Sequence, residues 1–240
     1  MTRDDVLERD SVLDERAFYL QAAFRALLDA TARPGELCEL PEPPAAAAAD
    51  AAEAGLLPAT VTVCDVLLDA ATSVAVAGEG GADARRVLSR RSHVRPADES
   101  AAAYVVVPLG VRGEEAAAVV GSLTSGTLLD PHLGATCVVE CATLVGRDRS
   151  GARTGSASGA APARRWRLSG PGIAQGELAL VECDRSDVVS ARQGRSDEFP
   201  CGIDLVLVDG AGHVLAVPRT TSVERDATAL PGEGVGSWAM

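Results

Sequence analysis

The chain of 240 residues contains no lysine and no asparagine, so all 22 of its basic residues are arginine. Without lysine there is no Schiff base to pyridoxal phosphate, no P-loop lysine and no lysine base. GC-rich coding bias explains both absences without chemistry, and the chemical exclusion holds whatever their cause. Aromatic residues make up only 3% of the chain and the net charge is −12. A generic nucleic-acid surface would instead be basic and often aromatic. No apolar run approaches the roughly 20 residues needed to span a bilayer. The first ten residues, MTRDDVLERD, are charged and lack the apolar core of an export signal. These absences lead us to expect a cytoplasmic protein that binds neither membrane nor nucleic acid.

What is present is a 47% hydrophobic composition over a length that suits one large domain. Six cysteines are expected to be thiols in a reducing compartment. None forms a Cys-x-x-Cys pair. Cys137 and Cys141 share a face of an apolar strand expected over 136–144, a core arrangement rather than a metal pair. His93, His132 and His213 show no metal-ligand spacing, and no G-x-S-x-G nucleophile elbow occurs. His132, beside Asp130 and Pro131, could serve as an acid–base group or simply occupy a loop.

Periodicity places a first helix over 12–32, started by Ser11 with Asp14 and stopped by Pro34-Gly35. Leu13, Ala17, Leu20, Phe24, Leu27 and Thr31 form its expected apolar stripe. Further helices are expected near 60–71, 82–91, 114–123 and 184–195, and strands at 73–77, 104–107, 136–144, 166–169 and 177–181. The stretch PEPPAAAAADAAEA reads as a loop running into helix. Residues 146–162, rich in Gly, Ser and Ala, read as a flexible insertion, and 226–240 as a disordered tail. We expect one domain over 1–225, an α/β fold with a mixed sheet covered by helices.

The most distinctive segment is FPCGIDLVLVDGAGHVLAVPRTTSVE, residues 199–224. It reads as a β-hairpin whose apolar strands flank the turn Asp209-Gly-Ala-Gly212 and stop at Pro218-Arg219-Thr220-Thr221. This string resembles the H subunit of the bacterial carbon–phosphorus (C–P) lyase system, the PhnH family of phosphonate degradation. FRALLDATARPG at 24–35, LTSGTLLDPHLGAT at 123–136 and RLSGPGIA at 167–174 are similar to further blocks of that family, in the family's order. The resemblance implies a fold related to pyridoxal-phosphate-dependent transferases without the cofactor. It further implies a part in making α-D-ribose 1-methylphosphonate 5-triphosphate from ATP and an alkylphosphonate, with release of adenine. ATP would be a substrate of the complex, and the chain itself would need no cofactor. The implied partners are sister subunits G, I and J and an ATP-binding L protein, with a homodimer when the chain is isolated.

Residue by residue, Arg219, Thr220 and Thr221 offer a guanidinium and two hydroxyls at a strand end. That set suits a phosphate, a carboxylate or a subunit interface, or alternatively a capped turn with Arg219 paired to an acid. Asp204 lies in an apolar strand, where a carboxylate is costly; alternation puts it on an exposed or edge face, the alternative being an ion pair across an interface. Ser125-Gly126-Thr127 could present backbone N–H groups to an anion, or be a packing turn. Arginines cluster at 85–95 and again at 164–167, either as solvated faces or as an anionic-ligand surface. Two other readings remain beside the subunit: a free-standing small-molecule enzyme with an anion pocket, and a purely structural dimer.

Overall fold

A computed structural model describes residues 3–157, 162–174 and 179–226, with side chains from Glu15 onward. In chain order the elements begin with α1 (Arg3–Ala32), β1 (Cys38–Glu39), α2 (Ala45–Ala54), α3 (Pro58–Leu67), β2 (Ser73–Val76) and α4 (Gly81–Ser92). Then come β3 (Arg95–Pro96), β4 (Tyr104–Val107), α5 (Glu114–Ser122), a 3₁₀ turn (Pro131–Leu133), β5 (Thr136–Cys141) and β6 (Thr143–Arg147). The rest are β7 (Arg153–Ala157), β8 (Arg164–Ser169), β9 (Ala179–Cys183), α6 (Ser186–Gln193), β10 (Asp204–Asp209), β11 (His213–Val217) and β12 (Ser222–Arg225).

Two sheets form where a single one was expected. The larger has the order β1-β11-β10-β5-β4-β2-β3, with β10, β5, β4, β2 and β3 parallel, β11 antiparallel to β10, and β1 antiparallel in turn to β11. Its central strands read as unbroken apolar runs because both faces are covered, as parallel sheets require. On one face Val106, Val138, Val206 and Val208 pack against α1, α2, α3 and α4. On the other, Val105, Val139, Leu205 and Leu207 pack against α5, α6 and the second sheet. That sheet, with order β12-β8-β9-β6-β7, is antiparallel throughout. Cys137 and Cys141 lie in the core, where burial raises both thiol pKa values, Cys137 to about 12.

Several boundaries depart from the sequence reading. The strand expected over 136–144 breaks at Ala142, because Asp184 accepts hydrogen bonds from the N–H groups of Ala142 and Thr143, both 3.1 Å. There the chain leaves one sheet for the other. The insertion expected to be flexible over 146–162 is ordered as far as Ala157: β6 and β7 form a hairpin. Asp148 builds its turn by accepting from Ser150 and Ala152. Of the tail expected over 226–240, Asp226 is instead buried and donates its N–H to Arg165 O at 3.0 Å; the rest, with residues 158–161 and 175–178, lies outside the described residues. Helix α1 runs continuously from Arg3, so Ser11 and Asp14 sit within it rather than starting it. Its buried face is Tyr19, Ala23, Leu27 and Ala30, whereas Phe24 is 54% exposed. The Tyr19 hydroxyl bonds Thr62 Oγ1 on α3 at 2.6 Å, and that bond sets the rotation of the helix. Helix α3 is buried from Ala59 to Cys64 instead of along one stripe.

Charged groups are spent on the fold. Arg90 and Arg91 reach from α4 to Asp50 and Glu53 on α2 and to Asp65 on α3, so these two arginines of the cluster staple helices together. Buried Glu140, in β5, accepts from Leu57 N and Thr60 Oγ1 at 2.6 Å and from Leu109 N at 3.0 Å. It supplies the start of α3 with the acceptor and negative charge that its own residues lack. Replacing Glu140 by Ala strands all three donors and is expected to cost about 3 kcal/mol of unfolding free energy or more. Urea denaturation measures it; a loss below about 0.5 kcal/mol would show that the carboxylate is not holding α3.

Candidate functional site

The sequence-predicted residues meet at one edge of the larger sheet, where the parallel strands β5 and β10 begin and β11 ends. Three segments converge there: 124–134 ahead of β5, 194–203 ahead of β10, and the Pro218–Thr221 turn between β11 and β12. Ligands of open α/β sheets bind beyond the opposite, carboxyl ends of the strands. In this chain the carboxyl ends of β5 and β10 are occupied by the chain's own groups. Buried Arg185 donates to the carbonyls of Glu140 and Val111, both at 2.7 Å, and Asp209 accepts from His213 N and faces His213 Nδ1 at 2.8 Å.

Asp204 and Arg219 form a closed clamp. Arg219 Nη2 donates to Asp204 Oδ2 at 2.6 Å, Nε bridges both carboxylate oxygens, and Arg219 N donates to Oδ1 at 2.7 Å. The same guanidinium donates to the carbonyl of Pro131 and, at 3.4 Å, to that of Gly134. The aspartate thus pairs within its own chain, in a central strand rather than at an edge. A side chain at residue 134 is incompatible with this packing: a Cβ there would lie 2.3 Å from Gly202 O and 2.6 Å from Arg219 Nη1.

The Ser125–Thr127 segment is tied into the same edge. Ser125 O accepts from Gly202 N at 2.9 Å, Thr127 N donates to Asp130 O, and Thr127 Oγ1 accepts from Asp130 N. Gly126 has φ +77, which its turn requires, and its N–H faces Thr124 Oγ1 at 3.3 Å. These amides are therefore engaged inside the loop. Thr220 is exposed, Thr221 is buried, and His132 is exposed, 4.0 Å from Asp130. Among the described residues no group of three His, Cys, Asp or Glu side chains could hold a metal.

Beside the clamp opens a cleft of about 370 Å³ lined by Arg192, Arg195, Asp197, Cys201, Arg219 and Thr221, among others. Arg195 is satisfied by Asp197 at 2.6 Å and by the carbonyls of Val120 and Leu123 at the end of α5. Arg192, in the last turn of α6, donates to Pro218 O at 2.7 Å and Thr221 O at 3.1 Å. Burial pulls its pKa below the ordinary arginine value, opposed by the charges of Asp204 and Asp197. Sequence reasoning placed this helix but gave Arg192 and Arg195 no role. Two arginines three residues apart, where a helix enters the FPCGID segment, were the available signal.

The clamp yields a sharp expectation. Gly134→Ala should destabilise the chain by about 2 kcal/mol or more through overpacking, while Thr220→Ala on the exposed turn should cost less than about 0.5 kcal/mol. Urea denaturation of both variants checks this; equal stabilities would contradict the close approach of the three segments.

Comparison with known proteins adds two findings. The family described as bacterial phosphonate metabolism protein (PhnH) matches residues 12–224. HtxG of Stutzerimonas stutzeri, whose name marks it as a candidate C–P lyase subunit protein, is 33% identical over 208 residues, covering 85% of each chain.

Proposed function

The chain belongs to the PhnH family of bacterial phosphonate metabolism proteins, and from that premise we propose that it is a non-autonomous subunit of a C–P lyase system. In this reading it supports the synthesis of α-D-ribose 1-methylphosphonate 5-triphosphate. The N-glycosidic bond of ATP breaks, a phosphonate oxygen bonds C1′ of the ribose, and adenine leaves. Subunits G, I and J share the core complex, the L protein assists, and the isolated chain pairs with a second copy. The fold is read as kin to pyridoxal-phosphate-dependent transferases with the cofactor dispensed with, in keeping with a chain that has no lysine.

One observation carries the subunit reading beyond the family: the best candidate catalytic groups are already bonded internally. Asp204 and Arg219 each hold several partners, and neither is left poised as a free acid, base or nucleophile. Meanwhile Leu128, Leu129, Leu133 and Phe199 are 55–92% exposed on the two loops that flank the clamp. Such apolar exposure beside a rigid edge suits a surface that a partner covers. The competing reading, an enzyme acting alone, is favoured only by the arginine-lined cleft, which binding without turnover would equally explain.

Co-expression of the tagged chain with the G, I and J subunits of its host tests the proposal. A stoichiometric complex is expected by native mass. Adenine release from ATP and methylphosphonate, with the L protein added, should fall at least tenfold when this chain is omitted. If the chain elutes alone and the activity is indifferent to it, the subunit reading is wrong.

A further inference from the structure

Two polar atoms at the cleft beside the clamp are buried and have no hydrogen-bond partner: Arg192 Nε and Thr221 Oγ1. Both residues line the cleft, and Thr221 is only 2% exposed. Buried polar groups are nearly always satisfied, and of the four such orphans among the described residues two, Arg192 Nε and Thr221 Oγ1, belong to residues lining this one cleft. The charges make the same point. The cleft is lined by three guanidinium groups and one carboxylate, Asp197. Asp197 neutralises Arg195 at 2.6 Å, and Asp204 neutralises Arg219 at 2.6 Å. Arg192 is left with two carbonyl partners and, among the described residues, no carboxylate. A desolvated cation of this kind is costly unless a negative charge joins it.

We infer that this cleft binds a tetrahedral oxyanion, with Arg192 as the cation and the Thr221 hydroxyl as a donor. A phosphonate and the phosphate group of a nucleotide share that chemistry. Arg192 Nη2 is spent on Pro218 O and Thr221 O, which leaves the orphaned Nε and Nη1 as its donors to such a group. The cleft is in the size range of small-molecule pockets, about 300–1,000 Å³. Arg219 plays a different part. Its donors are spent on Asp204, Pro131 and Gly134, and it forms the rigid wall against which the oxyanion sits. The larger cavity of about 680 Å³ near Arg33, Arg147 and Arg149 lacks this signature. Arg33 there pairs with Asp29 and Glu36, Arg147 donates to Gly151 O, and among the described residues no orphaned buried atom belongs to its lining. The inference concerns the free chain and does not depend on the complex, so the two can fail separately.

Equilibrium titration of the full-length chain with inorganic phosphate, methylphosphonate and ATP tests it, with chloride at matched ionic strength as control. Saturable binding of at least one of the three is expected. Arg192→Gln, which keeps an amide donor but removes the charge, should weaken it at least tenfold. Thr221→Val should weaken it about fivefold while leaving the unfolding midpoint unchanged or higher, since the substitution also removes an orphaned hydroxyl. Arg149→Gln, in the other cavity, should change nothing. Tighter binding of ATP would assign the site to a nucleotide phosphate, and tighter binding of methylphosphonate to the phosphonate. No saturable binding of any probe, or binding unchanged in both Arg192→Gln and Thr221→Val, would overturn the inference.

Discussion

Asp204 stands at the first residue of β10, where the chain enters a central strand of the larger sheet. The guanidinium of Arg219 returns from the end of β11 to meet it at 2.6 Å. Because the same guanidinium also takes the carbonyls of Pro131 and Gly134, one ion pair fixes three segments that are far apart in sequence. The side chains are 29% and 18% exposed, so solvent only partly screens the pair. Its role is geometric as much as energetic. It fixes where β10 begins relative to β5, its parallel neighbour, and where the turn into β12 lies against the second sheet.

That constraint separates the arginines by role. Arg219, Arg195, Arg185, Arg91 and Arg90 each hold carbonyls or carboxylates of the chain itself, tying helices, strand ends and helix termini. Planar, multiply donating guanidinium groups suit that work better than a single ammonium would. Arg192 holds carbonyls too, those of Pro218 and Thr221, and differs in its setting. It sits against the wall that the clamp makes, half-buried with its Nε shielded, and without a carboxylate among the described residues.

Much of the scaffold was legible in the sequence because its elements have clear periods and stops. The hairpin of β10 and β11, the strand β4 and the helices α4 and α5 fall within a residue or two of expectation. What escaped is instructive. The hairpin of β6 and β7 includes the edge strand RTGSA, whose small and polar residues carry no apolar alternation. The break at Ala142 is imposed by Asp184, some forty residues away. Helix α1 turns a different face inward because Tyr19 finds a hydroxyl on α3, a contact that periodicity cannot contain. At the site, the signature residues were found but the direction of their bonds was not. Sequence offers Arg219 equally to a ligand and to a neighbouring acid, and only the fold shows that Asp204 occupies it. Arg192 escaped because an arginine late in a polar helix ordinarily faces water.

A double-mutant cycle on Asp204 and Arg219 tests the central claim most directly, using Asp204→Ala, Arg219→Ala and the pair in urea denaturation. If the two side chains form the internal clamp, the coupling energy should be about 2 kcal/mol, within the range measured for residues sharing one network. Coupling below about 0.5 kcal/mol, with the single losses simply adding, would contradict the account and return Arg219 to the role of a free ligand-binding cation.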